Sequence, residues 1–265
     1  MKLPFAQIDA FADRAFAGNP AAVIPLEAWL DDAVLQAIAA ENNLSETAFY
    51  LPDATGEADF ELRWFTPATE VALCGHATLA SGHHVLAADP ARESVRFRTR
   101  RAGVLSVTRA AAGYVLALPA WAPAPRPLPA IVAALGVSAA ETLWHPHRYA
   151  LVVVEDEASV LALTPDFQAL TAQGDVLTIV TAPGGASGAD IVSRVFAPGA
   201  GIDEDPVTGS AHAVMVPYWA HRLGRADFTA FQASRRGGRL TCRHAGDRVV
   251  LGGACVTVIE GSFHL

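Results

Sequence analysis

Glu46 is the first side chain whose type and position could do chemistry. It lies in the segment 42–49 (NNLSETAF), between the end of a predicted helix and the start of an apolar strand. A carboxylate at such a border is partly desolvated, which suits it to general acid/base catalysis. A solvated turn carboxylate or a helix cap is the alternative interpretation, since most Glu side chains are exposed.

Two further titratable side chains stand beside turns of small residues. His76 directly follows Gly75, and Asp205 lies in the acidic segment 203–210 (DEDPVTGS). The position of His76 favours a proton relay or a ligand contact, although a lone His is often a surface or core residue. Asp205 could act beside it, or could simply stabilise the start of the helix that follows.

Backbone and cationic donors could hold an anionic ligand. The turns at Gly75 and at Gly209-Ser210 each open an apolar segment of helical length, and a helix start offers free N–H groups and a positive dipole end. Arg235 lies in the loop 232–238 (QASRRGG), which could bind a carboxylate. A hairpin with solvated charges is the other interpretation of that loop.

Other chemistry lacks its signature. The spacings His145-Pro146-His147, His83-His84 and Cys74-x-His76 match no familiar metal site, so we expect no metal. No G-x-S-x-G motif supports a serine hydrolase.

Composition narrows the class of protein further. The 265 residues carry a formal net charge of −8 without a Lys/Arg cluster, which argues against nucleic acid and anionic membranes as partners. No apolar run predicts a secretory peptide or a membrane span. Three widely spaced cysteines (Cys74, Cys242 and Cys255) suit reduced thiols, so we expect a cytoplasmic protein.

The sequence is internally repeated. Segments 58–67 (ADFELRWFTP) and 189–198 (ADIVSRVFAP) share five of ten residues at an offset of 131. Segment 74–77 (CGHA) corresponds to 208–211 (TGSA) at an offset of 134, so the register drifts by only a few residues. The pattern predicts one duplicated domain, with a cleft between the two halves.

The elements that must position these residues follow from this repeat. We predict domains over 1–119 and 128–265, joined by a Pro-rich linker over 120–127, with a last strand that can return to the first domain. Each half has many strands and one helix that is apolar nearly all round, over 77–88 and 209–223. The fold class is therefore α+β, with two pseudo-symmetric duplicated domains, each a strand-rich barrel wrapped around a central helix.

These segments resemble the phenazine-biosynthesis PhzF-like isomerase family, within the wider diaminopimelate-epimerase fold. The matching segments are 5–11 (FAQIDAF), 18–23 (GNPAAV), 43–49 (NLSETAF), 63–67 (RWFTP), 74–80 (CGHATLA), 205–211 (DPVTGSA) and 232–238 (QASRRGG). They occur in order from end to end of the chain, which makes the resemblance specific.

The resemblance implies a cofactor-independent homodimer that isomerises a small carboxylated metabolite by proton transfer at carbon. In the characterised phenazine enzyme the substrate is a dihydro-hydroxyanthranilate. There the glutamate matching Glu46 moves the proton, and the residues matching His76 and Asp205 assist. The backbone matching Gly75, Gly209 and Ser210 contacts the substrate.

One departure from the wider fold concerns thiols. Amino-acid epimerases of this fold use a pair of cysteines, one from each half. Cys74 stands at one such place, but its repeat partner is Thr208, whose hydroxyl is far too weak an acid to replace a thiolate. An isomerase with Glu46 as its acid/base is therefore the leading hypothesis. The alternatives are a non-catalytic small-molecule-binding or regulatory protein and a one-thiol epimerase that uses Cys74 with another base.

Overall fold

The structure, a computed structural model, describes all 265 residues and divides the chain into two compact units. The first unit comprises residues 1–118 and 252–265, and the second comprises residues 119–251. The predicted boundaries differ from this division in one respect, because the predicted linker, 120–127, lies within the second unit. The last strand returns to the first unit, as the sequence analysis allowed.

The first unit contains strands, a short crossover helix and one long helix. Its elements are β1 (Lys2–Ala10), β2 (Asn19–Pro25), α1 (Asp32–Asn42), β3 (Glu46–Pro52), β4 (Phe60–Phe65), β5 (Glu70–Val71), α2 (Gly75–Ala88), β6 (Ser94–Thr99), β7 (Val104–Ala110), β8 (Gly113–Pro119) and β17 (Cys255–His264). Strand β17 is in this unit because it pairs antiparallel with β1 along nearly its whole length, from Lys2 opposite His264 to Ala10 opposite Cys255.

The second unit repeats the plan with shorter helices in place of α1. Its elements are β9 (Ala124–Pro125), α3 (Pro129–Leu135), β10 (Glu141–His145), β11 (Tyr149–Val153), α4 (Glu157–Leu161), α5 (Phe167–Thr171), β12 (Leu177–Pro183), β13 (Ile191–Phe196), a 3₁₀ turn (Pro198–Ala200), α6 (Gly209–Leu223), β14 (Asp227–Gln232), β15 (Gly238–Ala245) and β16 (Arg248–Gly253), which crosses the boundary.

The strand pairing shows the duplication at the level of topology. In the first unit β1 pairs antiparallel with β2, β2 parallel with β3, β3 antiparallel with β4, β4 parallel with β6, and β6 antiparallel with β7. The series β10, β11, β12, β13, β14 and β15 repeats that alternation of antiparallel and parallel pairs. The predicted α+β class and duplicated arrangement are confirmed.

Helix α2 is buried although it carries several polar side chains. It packs against β1, β2, β3, β6 and β7, so strands surround it within the unit. The Ser81 hydroxyl donates to the carbonyl of Ala77 (2.8 Å), which satisfies it inside the helix. The rings of His83 and His84 lie 3.0 and 2.8 Å from tyrosine hydroxyls, so neither is left as an unpaired buried group.

No helix of the chain combines the length and the hydropathy needed to span a bilayer.

Candidate functional site

The fold of the first unit brings the starts of two strands to one edge. Strands β2 and β3 are parallel neighbours, with Ala21 opposite Glu46. Asn43 ends α1 in the left-handed conformation (φ 47°) and turns the chain into β3. Asn19, the first residue of β2, and Glu46, the first residue of β3, therefore lie at the same edge of the sheet.

Helix α2 begins at this edge with unpaired backbone donors. Cys74 is its N-cap residue, and the first helical hydrogen bond runs from the Thr78 N–H to the Cys74 carbonyl (3.3 Å). The backbone N–H groups of Gly75 and His76 make no hydrogen bond within the protein. The helix therefore begins at Gly75, two residues before the predicted 77–88, and its start offers free donors.

His76 is the centre of a buried polar cluster. Its Nε2 lies 3.1 Å from Oε2 of Glu46, and its Nδ1 lies 3.2 Å from the Asn19 amide nitrogen and 3.5 Å from the Cys74 sulfur. His76 is 3% exposed and the Glu46 side chain 14% exposed. Glu46 Oε2 and His76 Nε2 are close but not aligned as a hydrogen bond, and neither atom has another hydrogen-bond partner.

The cluster holds its thiol neutral and favours a charged imidazole. Burial raises the pKa of the Cys74 thiol to about 11. Burial also lowers the pKa of His76, but the charges that Cys74 and Glu46 can carry outweigh it and raise that pKa well above its usual value. Because the thiol of Cys74 is protonated at neutral pH, the Glu46 carboxylate is the charge that raises the His76 pKa there.

The second unit presents the corresponding helix start. Thr208 is the N-cap residue of α6, at the place that Cys74 takes on α2. Its hydroxyl donates to the Asp205 carboxylate, and its N–H donates to Oε1 of Gln232 (2.9 Å). The Gln232 amide donates in turn to the Asp205 carbonyl (2.7 Å). Asp205 is therefore fixed beside the helix start by two side chains.

The donors at the start of α6 are arranged as predicted. The backbone N–H groups of Gly209 and Ser210 make no hydrogen bond within the protein. Gly209 is buried and Ser210 is half-buried. As in the first unit, the start of the helix offers two amide donors and the positive end of the helix dipole.

Arg235 lies at the exposed tip of the loop between β14 and β15. The turn is held by Ser234, whose hydroxyl donates to the Pro206 carbonyl (2.8 Å) and accepts the Gly237 N–H (3.1 Å). The Arg235 side chain is exposed and makes no ion pair. Its role as a ligand-binding residue stays a prediction.

The structure brings the predicted residues together in two sets. Glu46, His76 and Gly75 meet in the first unit, and Asp205 meets Gly209 and Ser210 in the second. That both sets serve one ligand stays a prediction. Sequence reasoning assigned no role to Asn19 or Gln232, although both stand in segments that carry the family resemblance. Their amide groups, which act through contacts distant in sequence, give no local signal.

Comparison with known proteins shows what the whole chain is similar to. The family model described as phenazine biosynthesis-like protein matches residues 8–261. An uncharacterized isomerase of Pseudomonas aeruginosa is 48% identical over 267 residues, covering 100% of both chains. The crystal structure of a PhzF-family phenazine biosynthesis protein from Enterococcus faecalis has a TM-score of 0.91 at 45% identity, covering 100% of both chains.

A more distant match supports the fold alone. The structure of a hydroxyproline epimerase from Agrobacterium vitis has a TM-score of 0.66 at 11% identity, covering 98% of this chain and 92% of the other. The fold is therefore shared with an epimerase whose sequence has diverged far from this one.

Proposed function

This chain belongs to the phenazine biosynthesis-like (PhzC–PhzF) family, an isomerase-type family, and we propose that it is a cofactor-independent isomerase of a small carboxylated metabolite. The reaction moves a proton between carbon atoms, with Glu46 as the general acid/base. The observation that carries the proposal is the buried pair formed by Glu46 and His76, 3.1 Å apart, at a helix start with free N–H groups.

In the first step the Glu46 carboxylate takes a proton from a carbon of the substrate. The electron pair of the broken C–H bond moves into the conjugated system next to the substrate carboxylate, which leaves an enolate-like intermediate. Protonated Glu46 then returns the proton to another carbon, so the enzyme ends as it began. His76, with its raised pKa, supplies a positive charge that stabilises the developing anion.

Fixed backbone dipoles supply the second part of the catalysis. The free N–H groups of Gly75 and His76 would bind negative charge on the substrate without any reorganisation during the reaction. Gly209 and Ser210 offer the same kind of donor, and we assign to Arg235 a contact with the substrate carboxylate. No Lys is required, because helix starts bind anions through their amides and dipoles.

Asp205 has the role of an assisting residue in this proposal. Thr208 and Gln232 hold it in one orientation, which is what a group that touches a reacting substrate needs. We further propose that the protein is a cytoplasmic homodimer, as expected from its sequence and its resemblance to the family. Size-exclusion chromatography with light scattering tests the oligomeric state.

Two alternatives make different predictions. An epimerase that uses Cys74 requires a thiolate, and burial that raises the pKa of Cys74 to about 11 works against it. Cys74→Ser should abolish such an epimerase but leave a Glu46-dependent isomerase with measurable turnover. A binding or regulatory protein would bind carboxylates in a thermal-shift screen and convert none of them.

The experiment is a panel of small cyclic and amino carboxylates incubated with the protein in D₂O. We expect an isomer to form, with deuterium at carbon, because a carboxyl group that carries the proton exchanges with solvent. An isomer without label would indicate internal transfer by Glu46 faster than exchange. The absence of both isomer and label across a broad panel would contradict the enzyme and favour the binding protein.

A further inference from the structure

Glu46, Cys74 and His76 also form a set of potential metal ligands. Each offers one ligand atom, and the three atoms all lie within 4.8 Å of one another. A carboxylate, a thiolate and an imidazole are the donors that Zn²⁺ and other thiophilic divalent cations take in proteins. The sequence does not reveal this set, because only Cys74 and His76 are close along the chain and two ligands so spaced match no known metal motif.

The distances fit a tetrahedral ion. With typical bonds to sulfur and nitrogen, two ligand atoms of a tetrahedral zinc site stand about 3.6 Å apart. The Cys74 sulfur and the His76 Nδ1 are already 3.5 Å apart. One ligand atom from each of Glu46, Cys74 and His76 lies within 4.8 Å of the other two, and a rotation of the Glu46 side chain closes the remainder.

Two buried polar atoms of the cluster lack a hydrogen-bond partner. Glu46 Oε2 and His76 Nε2 are buried and neither makes a hydrogen bond, even though they lie 3.1 Å apart. Buried charges are normally paired or coordinate metals. A divalent cation bound to one thiolate, one carboxylate and one neutral imidazole would form a cluster with no net charge.

We propose that Glu46, Cys74 and His76 bind a thiophilic divalent cation of the Zn²⁺ class, and that the bound ion inhibits the enzyme. Binding forms bonds to the metal from the Cys74 sulfur, a Glu46 oxygen and a nitrogen of neutral His76, and it releases the thiol proton and the imidazolium proton to solvent, with no change of oxidation state. Inhibition follows because the ion occupies the carboxylate and the imidazole that proton transfer requires. Only this inhibitory effect rests on the proposed function.

Cobalt(II) is the probe, because thiolate ligation to it gives a charge-transfer absorption band that needs no substrate. We expect one Co²⁺ per chain, the band in the wild-type protein, and its loss when Zn²⁺ is added. Cys74→Ser should lose the band and bind Zn²⁺ at least about tenfold more weakly. Cys242→Ser is the matched control, since Cys242 is also buried and free, and it should keep the band.

Three outcomes would overturn the site: no band at stoichiometric Co²⁺, a band that survives Cys74→Ser, or one that is lost in Cys242→Ser. Glu46→Gln and His76→Asn keep the thiol, so an unchanged cobalt spectrum in both would also overturn it. Thermal unfolding verifies that each variant is folded.

Addition of Zn²⁺ should stop deuterium exchange into the substrate, and a chelator should restore that exchange. Full exchange with Zn²⁺ bound would overturn the proposed inhibition.

Discussion

Nε2 of His76 lies 3.1 Å from Oε2 of Glu46, where the start of α2 meets the first residue of β3. The two residues are 30 positions apart in sequence, and each is set by a different element. His76 is placed by the N-terminus of a buried helix, and Glu46 by the parallel pairing of β2 with β3. The pair links a carboxylate, an imidazole and free backbone donors, which is the basis of the proposed proton transfer.

The first prediction concerns the charge that Glu46 places beside His76. Glu46→Gln removes the carboxylate and leaves burial, so the pKa of His76 should fall from its raised value toward or below the usual one. An NMR titration of the His76 ring measures this pKa in both proteins. Glu41→Gln, an exposed change in α1, is the control and should leave it unaltered. An unchanged pKa in Glu46→Gln would show that the pair does not couple.

The same pKa has a consequence for stability. The pKa of His76 is raised in the folded state, so its protonation stabilises the fold. This stabilisation is complete at pH values below the pKa that His76 has in the unfolded chain. That contribution is lost as the pH rises through the folded-state pKa. His76→Asn should therefore be less stable than the wild type mainly at low pH, and the difference in melting temperature should shrink as pH rises. A constant difference would contradict the assignment.

His212 should give the protein a pH dependence of stability opposite to that from His76. It is fully buried, its Nδ1 lies 2.8 Å from the Thr208 carbonyl, and burial lowers its pKa to about 4. Neutral His212 stabilises the fold at pH values above 6.5, the usual pKa of a histidine in an unfolded chain. This stabilisation is lost as the pH falls toward 4. Between pH 7 and pH 4 the wild type should lose about 3 kcal/mol of unfolding free energy through this group. Urea unfolding of His212→Gln at both pH values should show a smaller loss of unfolding free energy than the wild type shows, by about that amount. An equal loss in the two proteins would refute the prediction.

Arg63 should be a structural rather than a surface cation. Its side chain is 1% exposed and donates to both carboxylate oxygens of Glu70 (2.7 and 2.9 Å) and to Asp32 (2.8 Å). Arg63→Ala should cost about 2–3 kcal/mol, less than a fully buried pair because both acids are partly exposed. Arg222→Ala, which breaks an exposed pair with Glu141, should cost less than about 1 kcal/mol. Denaturant unfolding measures the loss of unfolding free energy in both variants. Equal losses would contradict the distinction between a structural and a surface cation.

Sequence reasoning predicted the repeat, the start of α6 and, to within two residues, the start of α2, because they depend on local patterns. Arg63 and Arg194 stand at matching positions of the repeated segments, and they form corresponding ion pairs with Glu70 and Glu204. Thr208 at the N-cap position of α6 likewise matches Cys74 on α2. Periodicity and turn residues determine such elements, so one chain suffices to find them.

The features that were missed or left open depend on long-range pairing. The return of β17 to the first unit, which the sequence left open, follows from its register with β1, more than 240 residues away, and no local pattern encodes that register. The short helices α4 and α5 end within two turns and leave little periodicity. Asn19 stands in a Gly-Asn-Pro segment, a pattern typical of turns rather than strands, yet it begins β2 and contacts His76.

The central claim is that Glu46 carries the proton. The most direct measurement is the rate of deuterium incorporation from D₂O into a converted carboxylate, compared among wild type, Glu46→Gln and the exposed control Glu41→Gln. We predict that Glu46→Gln folds normally and loses roughly 10²–10⁴-fold in rate, as expected for the loss of a general acid/base, while Glu41→Gln stays within about twofold of wild type. A Glu46→Gln rate within about twofold of the wild type, for a folded protein, would contradict the account.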